Sequence, residues 1–226
     1  MAANSSSSPK LPVSRLAALL LLAAVVSLAA ALGAVGILNK VYDRGIAETD
    51  ALQKLALLGK QTEVHYKNQV HEWKNILLRG FDGEAYTKYQ EDMLAQAKLV
   101  SDLTTEAIES AEGTGFDSRD LREFQKQHGV MTSAYIEQLA KNPPPLTVDS
   151  ARAIDSAVHR IDRAPQKTLD SVVTQIDQFA DIRSAATRKE ADETFDLARR
   201  IAVGAVAIQL LLVGMVMLVV MRQRPS

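Results

Sequence analysis

Two long apolar runs lie near the ends of the chain, and a much more polar region separates them. Residues 16–38 and 201–221 are apolar apart from one serine, one glutamine and four glycines. A helix needs about 20 consecutive apolar residues to cross a bilayer, and both runs have that length. Neither run shows the polar face of a water-exposed bundle helix. The pattern therefore predicts two transmembrane helices.

Between these runs, apolar residues recur at spacings of three and four, which is typical of helices with one buried face. No segment alternates with a period of two, so no strand is expected. Clusters of glycine or proline interrupt the pattern three times, and Asp117 and Asp149 are placed to cap the helices that follow the second and third interruptions. The predicted helices cover residues 39–79, 84–111, 117–141 and 149–200.

The apolar positions of the third predicted helix show the pattern most clearly, at Leu121, Phe124, His128, Met131, Tyr135 and Leu139. Short connections make consecutive helices antiparallel. The predicted fold is therefore all-α, with two transmembrane helices flanking an antiparallel up-down-up-down four-helix bundle at residues 39–198. We expect the first and fourth helices to continue unbroken into the spans. We expect Pro165 to kink the fourth helix or to open one of its backbone hydrogen bonds.

The distribution of charge predicts how the chain lies in the membrane. All 27 acidic residues and 20 of the 26 basic residues fall within residues 39–198, which gives that region a net charge of −7. The tails, residues 1–15 and 222–226, contain bases and no acids, which favours a cytoplasmic location for both. The bundle is then periplasmic, and the protein lies in a bacterial inner membrane in contact with its lipids. Arg199 and Arg200 weaken this assignment, because they lie on the other side of the second span.

An alternative interpretation of the first run is a cleaved signal peptide. Lys10 and Arg15 supply the basic region that precedes such a peptide, and Ala29, Ala30 and Ala31 resemble its cleavage site. The run is longer than the apolar part of an ordinary signal peptide, which favours an uncleaved span.

Several functional classes have no support in the sequence. The chain has no cysteine, so disulfides, thiol nucleophiles and cysteine zinc sites are excluded. An acidic central region lacks the basic surface that nucleic acid requires. His65 and His71 are six residues apart and cannot share a helical face as metal ligands. We find no nucleophile elbow or glycine-rich phosphate loop, so we expect neither enzyme activity nor a cofactor or metal.

Two segments resemble a known family. Residues 69–80 read QVHEWKNILLRG, which is similar to the QVQEWKNxLLRG run in the sensor domains of methyl-accepting chemotaxis proteins. Residues 160–165 read RIDRAP and resemble that family's GIDRAP-like segment, with arginine in place of the glycine. The residues that match these motifs are Gln69, Trp73, Asn75, Arg79, Asp162 and Arg163.

The resemblance implies a periplasmic ligand-binding four-helix bundle that forms a homodimer through its first helix. Receptors of this family continue beyond the second span into a HAMP domain and methylated signalling helices, whereas this sequence ends five residues after Met221. We therefore expect any output to pass through a separate receptor, kinase or membrane complex.

Counting residues from the end of each helix places Tyr66, His128 and Asp162 in one layer of the bundle, with further polar residues within a turn of it. The candidate ligand-binding residues are Tyr66, Gln69, His128, Arg163 and His65. A solute held there would pair with Arg163 or His128, which favours a small anion. Ordinary hydrogen bonds between helices explain the same polar residues, and both interpretations stay open.

Two functions fit this sequence. The first is a chemoreceptor-like sensory protein whose bundle binds a small molecule or a partner and relays the signal across the membrane. The second is a structural or accessory subunit of a larger membrane complex, in which the bundle is the interaction module.

Overall fold

The computed structural model describes residues 13–223, and within that range every regular element is a helix. The all-α class predicted from the sequence is confirmed. The parts of the predicted cytoplasmic tails at residues 1–12 and 224–226 lie outside the described residues. The five helices are α1 (Val13–Arg79), α2 (Gly83–Thr114), α3 (Arg119–Lys141), α4 (Val148–Ala157) and α5 (Arg163–Gln223).

The chain forms two compact units. One, here the bundle unit, is residues 47–185; the other, the apolar unit, combines the residues up to Ile46 with those from Ala186 onward. In the bundle unit, the last part of α1 packs with α2, α3, α4 and the first part of α5 around one hydrophobic core. Its largest fully buried side chains include Leu55, Tyr66, Met93, Phe124 and Leu169.

The helix ends of the bundle follow local side-chain chemistry. Asp82 caps α2, because its carboxylate accepts from the Glu84 amide at 2.9 Å. Gly115 ends α2 at φ 77°, a left-handed conformation that glycine adopts without strain. The expectation that Asp117 is the N-cap of α3 is wrong, because Ser118 occupies that position. The Asp117 carboxylate instead accepts from the Arg119 amide at 3.1 Å, one residue before the cap.

The start of α4 also differs from the prediction. Thr147, not Asp149, is the N-cap, and Thr147 and Ser150 form a reciprocal capping box. Asp149 lies in the first turn, where a carboxylate still interacts favourably with the helix dipole.

The predicted fourth helix, 149–200, is two helices. The chain leaves the helical conformation at residues 158–162 and resumes it at Arg163. Within this turn Arg160 has φ 60°, the left-handed region that an arginine rarely adopts. The expected kink at Pro165 is therefore absent. Pro165 is the third residue of α5, where the backbone N–H would lack an intrahelical partner in any case.

The apolar unit contains two segments long and apolar enough to cross a membrane, one in α1 and one in α5. None of the residues in the most apolar window of either segment is buried inside the structure. Exposed leucine, valine and methionine side chains surround both segments, which is the arrangement that a lipid environment favours. These findings are compatible with a membrane protein.

Candidate functional site

The bundle holds a buried polar layer between α1 and α3. Gln69 is fully buried and His128 is 5% exposed. His128 Nε2 lies 2.7 Å from Gln69 Oε1, and Gln69 Nε2 donates to the Thr132 hydroxyl at 3.0 Å. The carboxamide oxygen can only accept, so His128 carries its proton on Nε2. The side chains of Gln69, His128 and Thr132 therefore already pair with one another within the bundle.

Tyr66 extends this layer to the turn at residues 158–162. Its ring lies edge-on to Phe124, with centroids 5.8 Å apart, and 6.2 Å from the ring of His128. Its hydroxyl donates to the backbone oxygen of Asp162 at 2.6 Å. Tyr66, Gln69, His128 and Asp162 thus come together at the level that residue counting predicted.

The electrostatics of the layer differ from the sequence hypothesis. Burial lowers the pKa of His128 to about 4, because the charged imidazolium loses its hydration. At neutral pH the ring is uncharged, so His128 offers a hydrogen bond and no positive charge to an anion. Burial also raises the pKa of Tyr66, which keeps the phenol protonated and able to donate.

The two remaining candidate residues lie at the edge of the layer. His65 is half-buried on α1, and its Nδ1 lies 2.7 Å from Oε1 of Gln96 on α2. Arg163, the first residue of α5, is exposed. The buried layer therefore lacks the guanidinium that the sequence placed beside it.

The other residues of the two sequence motifs support the fold. Trp73 stacks on Tyr135 of α3, with ring centroids 3.9 Å apart and planes 4° from parallel. Asn75 donates to Glu72 at 2.9 Å. Arg79 Nη1 donates to the Tyr89 hydroxyl at 2.8 Å, which ties the end of α1 to α2.

A groove that the sequence analysis missed lies where α1 ends and α4 begins. Its volume is about 380 Å³, within the range of small-molecule sites. Leu78 is 70% exposed, Phe81 46% and Val148 55%, so this end of the bundle presents apolar side chains to solvent. The sequence feature that could have revealed the groove is the cluster of apolar residues beside the first glycine turn, at Leu77, Leu78 and Phe81. The groove residues are Lys74, Leu77, Leu78, Phe81, Val148, Ala151, Arg152 and Asp155.

Three charged residues line this groove. Lys74 lies on α1, and Arg152 and Asp155 lie on α4. None of the three forms an ion pair with another residue in the part of the chain that the structure describes. Two cations and one anion over an apolar surface match a small molecule with an apolar body and a negatively charged group. Within residues 13–223, no cluster of three or more histidine, aspartate or glutamate side chains is placed to hold a metal ion.

Comparison with known proteins gives one informative result. The chain is 30% identical over 156 residues to the methyl-accepting chemotaxis protein CtpH of Pseudomonas aeruginosa. The chain is similar to a chemoreceptor. The aligned region is 67% of this chain and 26% of that protein, so the chain spans about a quarter of the length of the relative it matches. No family model and no solved structure matches the chain.

This similarity agrees with the resemblance seen in the two sequence motifs, and it supports a chemoreceptor-like role in general. The helical bundle and the two apolar segments are compatible with such a role.

Proposed function

We propose that the protein is a membrane-anchored sensory protein that acts by binding and not by catalysis. Its bundle binds a small molecule or a partner, and the event passes along α5 toward the membrane. The observation that carries this proposal is the similarity to a methyl-accepting chemotaxis protein over 67% of the chain. It is supported by α5, one unbroken helix from Arg163 to Gln223 that belongs to both the bundle unit and the apolar unit.

Two places in the bundle unit compete as the ligand site. In the buried layer, the side chains of Gln69, His128 and Thr132 already pair with one another, so a solute must break those bonds to reach them. The groove of Lys74, Arg152 and Asp155 is open to solvent and its charged groups have no ion-pair partner among the described residues. We therefore favour the groove, and a ligand with an apolar body and an anionic group.

A thermal-shift screen of organic acids and amino acids on the purified full chain tests both places. A ligand at a hundredfold excess over its Kd stabilises the protein by about 2.7 kcal/mol. Hits that bind the groove disappear in Lys74→Gln and Arg152→Gln and survive in Gln69→Ala and His128→Ala. The opposite pattern moves the site to the buried layer. Lys98→Gln, an exposed lysine of α2, is the matched control for loss of surface charge.

Signal relay is tested with a chimera. Residues 1–221 replace the sensor region and both spans of a methyl-accepting chemotaxis receptor whose methylated and kinase-binding parts are retained. A compound found in the screen should change kinase activity in the chimera. The same response should be lost when Lys74→Gln and Arg152→Gln are introduced. A chimera that folds, binds the compound and never changes kinase output would contradict the relay.

We propose that the bundle lies in the periplasm, with both chain ends in the cytoplasm of a bacterial inner-membrane protein. The acid-free tails support this orientation. Alkaline phosphatase fused after residue 115 should then be active, and phosphatase fused after residue 226 should be inactive. The reverse activities would refute the orientation.

We also propose a homodimer through α1. Leu57 and Val64 are both 56% exposed, and they fall on one heptad position of the helix. Such a row of exposed apolar residues is expected where a second copy packs. Cysteines at 57 and 64 should crosslink between subunits, whereas cysteines at 88 and 98, which replace exposed lysines of α2, should not.

The accessory-subunit function remains the second candidate. Val130 and Ile136 on α3 are 61% and 45% exposed, which gives the bundle apolar surface away from α1. Co-purification from native membranes, with mass spectrometry of bound proteins and small molecules, separates the two functions. Val130→Ser should release a partner that docks on α3 and should leave small-molecule binding intact.

A further inference from the structure

The two apolar segments leave a groove between them inside the apolar unit. Its volume is about 590 Å³. Ala23, Ser27 and Ala30 of α1 and Gly204 and Ala205 of α5 are half-buried along it. Small side chains at these positions leave the space of the groove open, and larger neighbours form its walls. The wall residues are Leu22, Val26, Ile201, Ile208 and Leu212.

A second, charged cavity adjoins this groove. Its volume is about 560 Å³, and it is lined by Asp196, Arg199, Arg200, Val203 and Gly204. Arg200 and Gly204 also line the apolar groove, so the two cavities meet there. Two arginines and one aspartate give the charged cavity a net charge of +1. Neither arginine forms an ion pair with another residue among residues 13–223.

We infer that this composite cavity binds one anionic phospholipid. An acyl chain lies between the two segments, and the phosphate lies on Arg199 and Arg200. Guanidinium groups bind phosphate through paired hydrogen bonds and tolerate partial dehydration, which suits the boundary of the hydrocarbon layer. The inference rests on the proposed membrane insertion of both segments.

The alternative occupant is the corresponding segment of a second copy. Two copies inserted in the same direction hold Arg199 and Arg200 at the same depth, so packing into this groove brings like charges together. Each copy also brings its Asp196, so a second copy adds a net charge of +1 beside this cavity, and the apolar segments contain no aspartate or glutamate that could offset it. A lipid phosphate supplies the missing negative charge, which is why we assign the groove to lipid.

Membrane insertion is tested first and separately. Alkaline carbonate should leave the full chain in the membrane pellet. If carbonate releases the protein, the proposed membrane function has failed and the lipid inference falls with it. If the protein stays in the pellet, the lipid experiment tests the cavity alone.

The lipid experiment uses the full chain purified in a neutral detergent and native mass spectrometry with phosphatidylglycerol or phosphatidylcholine. Wild-type protein should retain phosphatidylglycerol in preference to phosphatidylcholine. The double variant Arg199→Gln/Arg200→Gln should bind it about 25-fold more weakly, because each basic residue near an anionic lipid surface strengthens binding about fivefold. Arg222→Gln, at the other end of α5, is the charge control and should bind normally.

Filling the groove gives an independent test. A Cβ at Gly204 would meet no other atom within 4 Å, so Gly204→Leu can place a larger side chain in the cavity without a clash at its Cβ. It should abolish lipid retention, whereas Gly214→Leu, which has equal space and does not line this groove, should not. Equal retention of both lipids, or unchanged binding by the double arginine variant, overturns the inference. A lipid-free dimer that Gly204→Leu dissociates overturns it in favour of the second copy.

Discussion

The Tyr66 hydroxyl donates a 2.6 Å hydrogen bond to the backbone oxygen of Asp162, and this bond joins α1 to the turn between α4 and α5. The same oxygen accepts from the Gln166 amide at 3.1 Å in the first turn of α5. Burial raises the pKa of Tyr66, so the phenol remains a donor. The start of the helix that leads to the second apolar segment is therefore fixed from the core of the bundle.

Removing this hydroxyl should destabilise the protein measurably. In Tyr66→Phe the Asp162 oxygen keeps only its bond from Gln166, and we expect a loss of about 1–2 kcal/mol in the free energy of unfolding. Denaturant unfolding of the full chain in detergent measures it. Tyr89→Phe, which removes a hydroxyl bonded to exposed Arg79, is the control and should cost about 0.5 kcal/mol or less. Equal losses of stability in the two variants would mean that the buried hydrogen bond of Tyr66 contributes no more than the exposed one of Tyr89.

Arg160 should be replaceable by glycine with a gain in stability. Its φ of 60° costs an L-residue about 1–2 kcal/mol, and glycine avoids that strain but loses more conformational entropy on folding. We expect Arg160→Gly to raise the free energy of unfolding by about 0.5–1 kcal/mol. Ala153→Gly, inside α4, should lower it by about 1 kcal/mol. Thermal melts of both variants test whether the two changes in stability have opposite signs. A loss of stability in Arg160→Gly would refute the strain argument.

The sequence predicted α3 well because one face of a helix is read from spacing alone. All six of its predicted core positions, from Leu121 to Leu139, are buried. The same periodicity concealed the turn at residues 158–162. Ile154, Val158, Pro165 and Leu169 keep helical spacing across it, and all four are buried. A single irregular turn leaves the apolar pattern in phase, so the pattern alone cannot reveal it. The available clue was Arg160, which stands where the similar GIDRAP segment has a glycine. A glycine at that position indicates a positive φ, and therefore a turn.

The candidate site was predicted less completely, for a different physical reason. Residue counting gives the level of a side chain along a bundle and not its direction, so Tyr66 and His128 were placed correctly while Arg163 points to solvent. Counting also gives no pKa, and the loss of positive charge at His128 follows from burial that only packing reveals. The groove was missed because Phe81 lies in the turn after α1 and Leu78 lies away from the core face.

Gly80, the last residue of the QVHEWKNILLRG run, should not tolerate alanine. A Cβ at this position would overlap the Ile76 carbonyl oxygen and would lie 3.0 Å from the Tyr86 ring and 3.2 Å from Leu146. The Gly80 amide also donates to that Ile76 oxygen at 2.8 Å, so the backbone is held in place. We expect Gly80→Ala to cost about 1–3 kcal/mol.

The matched control for Gly80→Ala is Gly83→Ala. No atom lies within 4 Å of a Cβ at Gly83, and this residue begins α2, so alanine there should be neutral or mildly stabilising. Thermal melts of the two variants in the same detergent compare them directly. Similar melting temperatures would show that the turn adjusts to a side chain at residue 80.

His128 should make the protein less stable in acid. Its pKa is about 4 in the folded chain against an ordinary value of 6.5, so between these values the unfolded chain binds a proton that the folded chain does not. This difference in proton binding has no effect on stability above pH 6.5. As the pH decreases from 6.5 toward 4, it lowers the free energy of unfolding. Each pKa unit corresponds to about 1.4 kcal/mol, so the full loss is about 3 kcal/mol.

His128→Gln keeps a donor for the Gln69 oxygen and removes the titrating ring. Denaturant unfolding of wild type and variant at several values between pH 7 and pH 4 should give a difference in stability that shrinks, or changes sign, as the pH falls. Carboxylates that titrate in the same range affect both proteins and cancel in this difference. His71→Gln, which removes an exposed histidine from the same helix as Gln69, is the control. A wild-type minus His128→Gln difference that is constant with pH would show that His128 takes up its proton in the folded bundle as readily as in the unfolded chain.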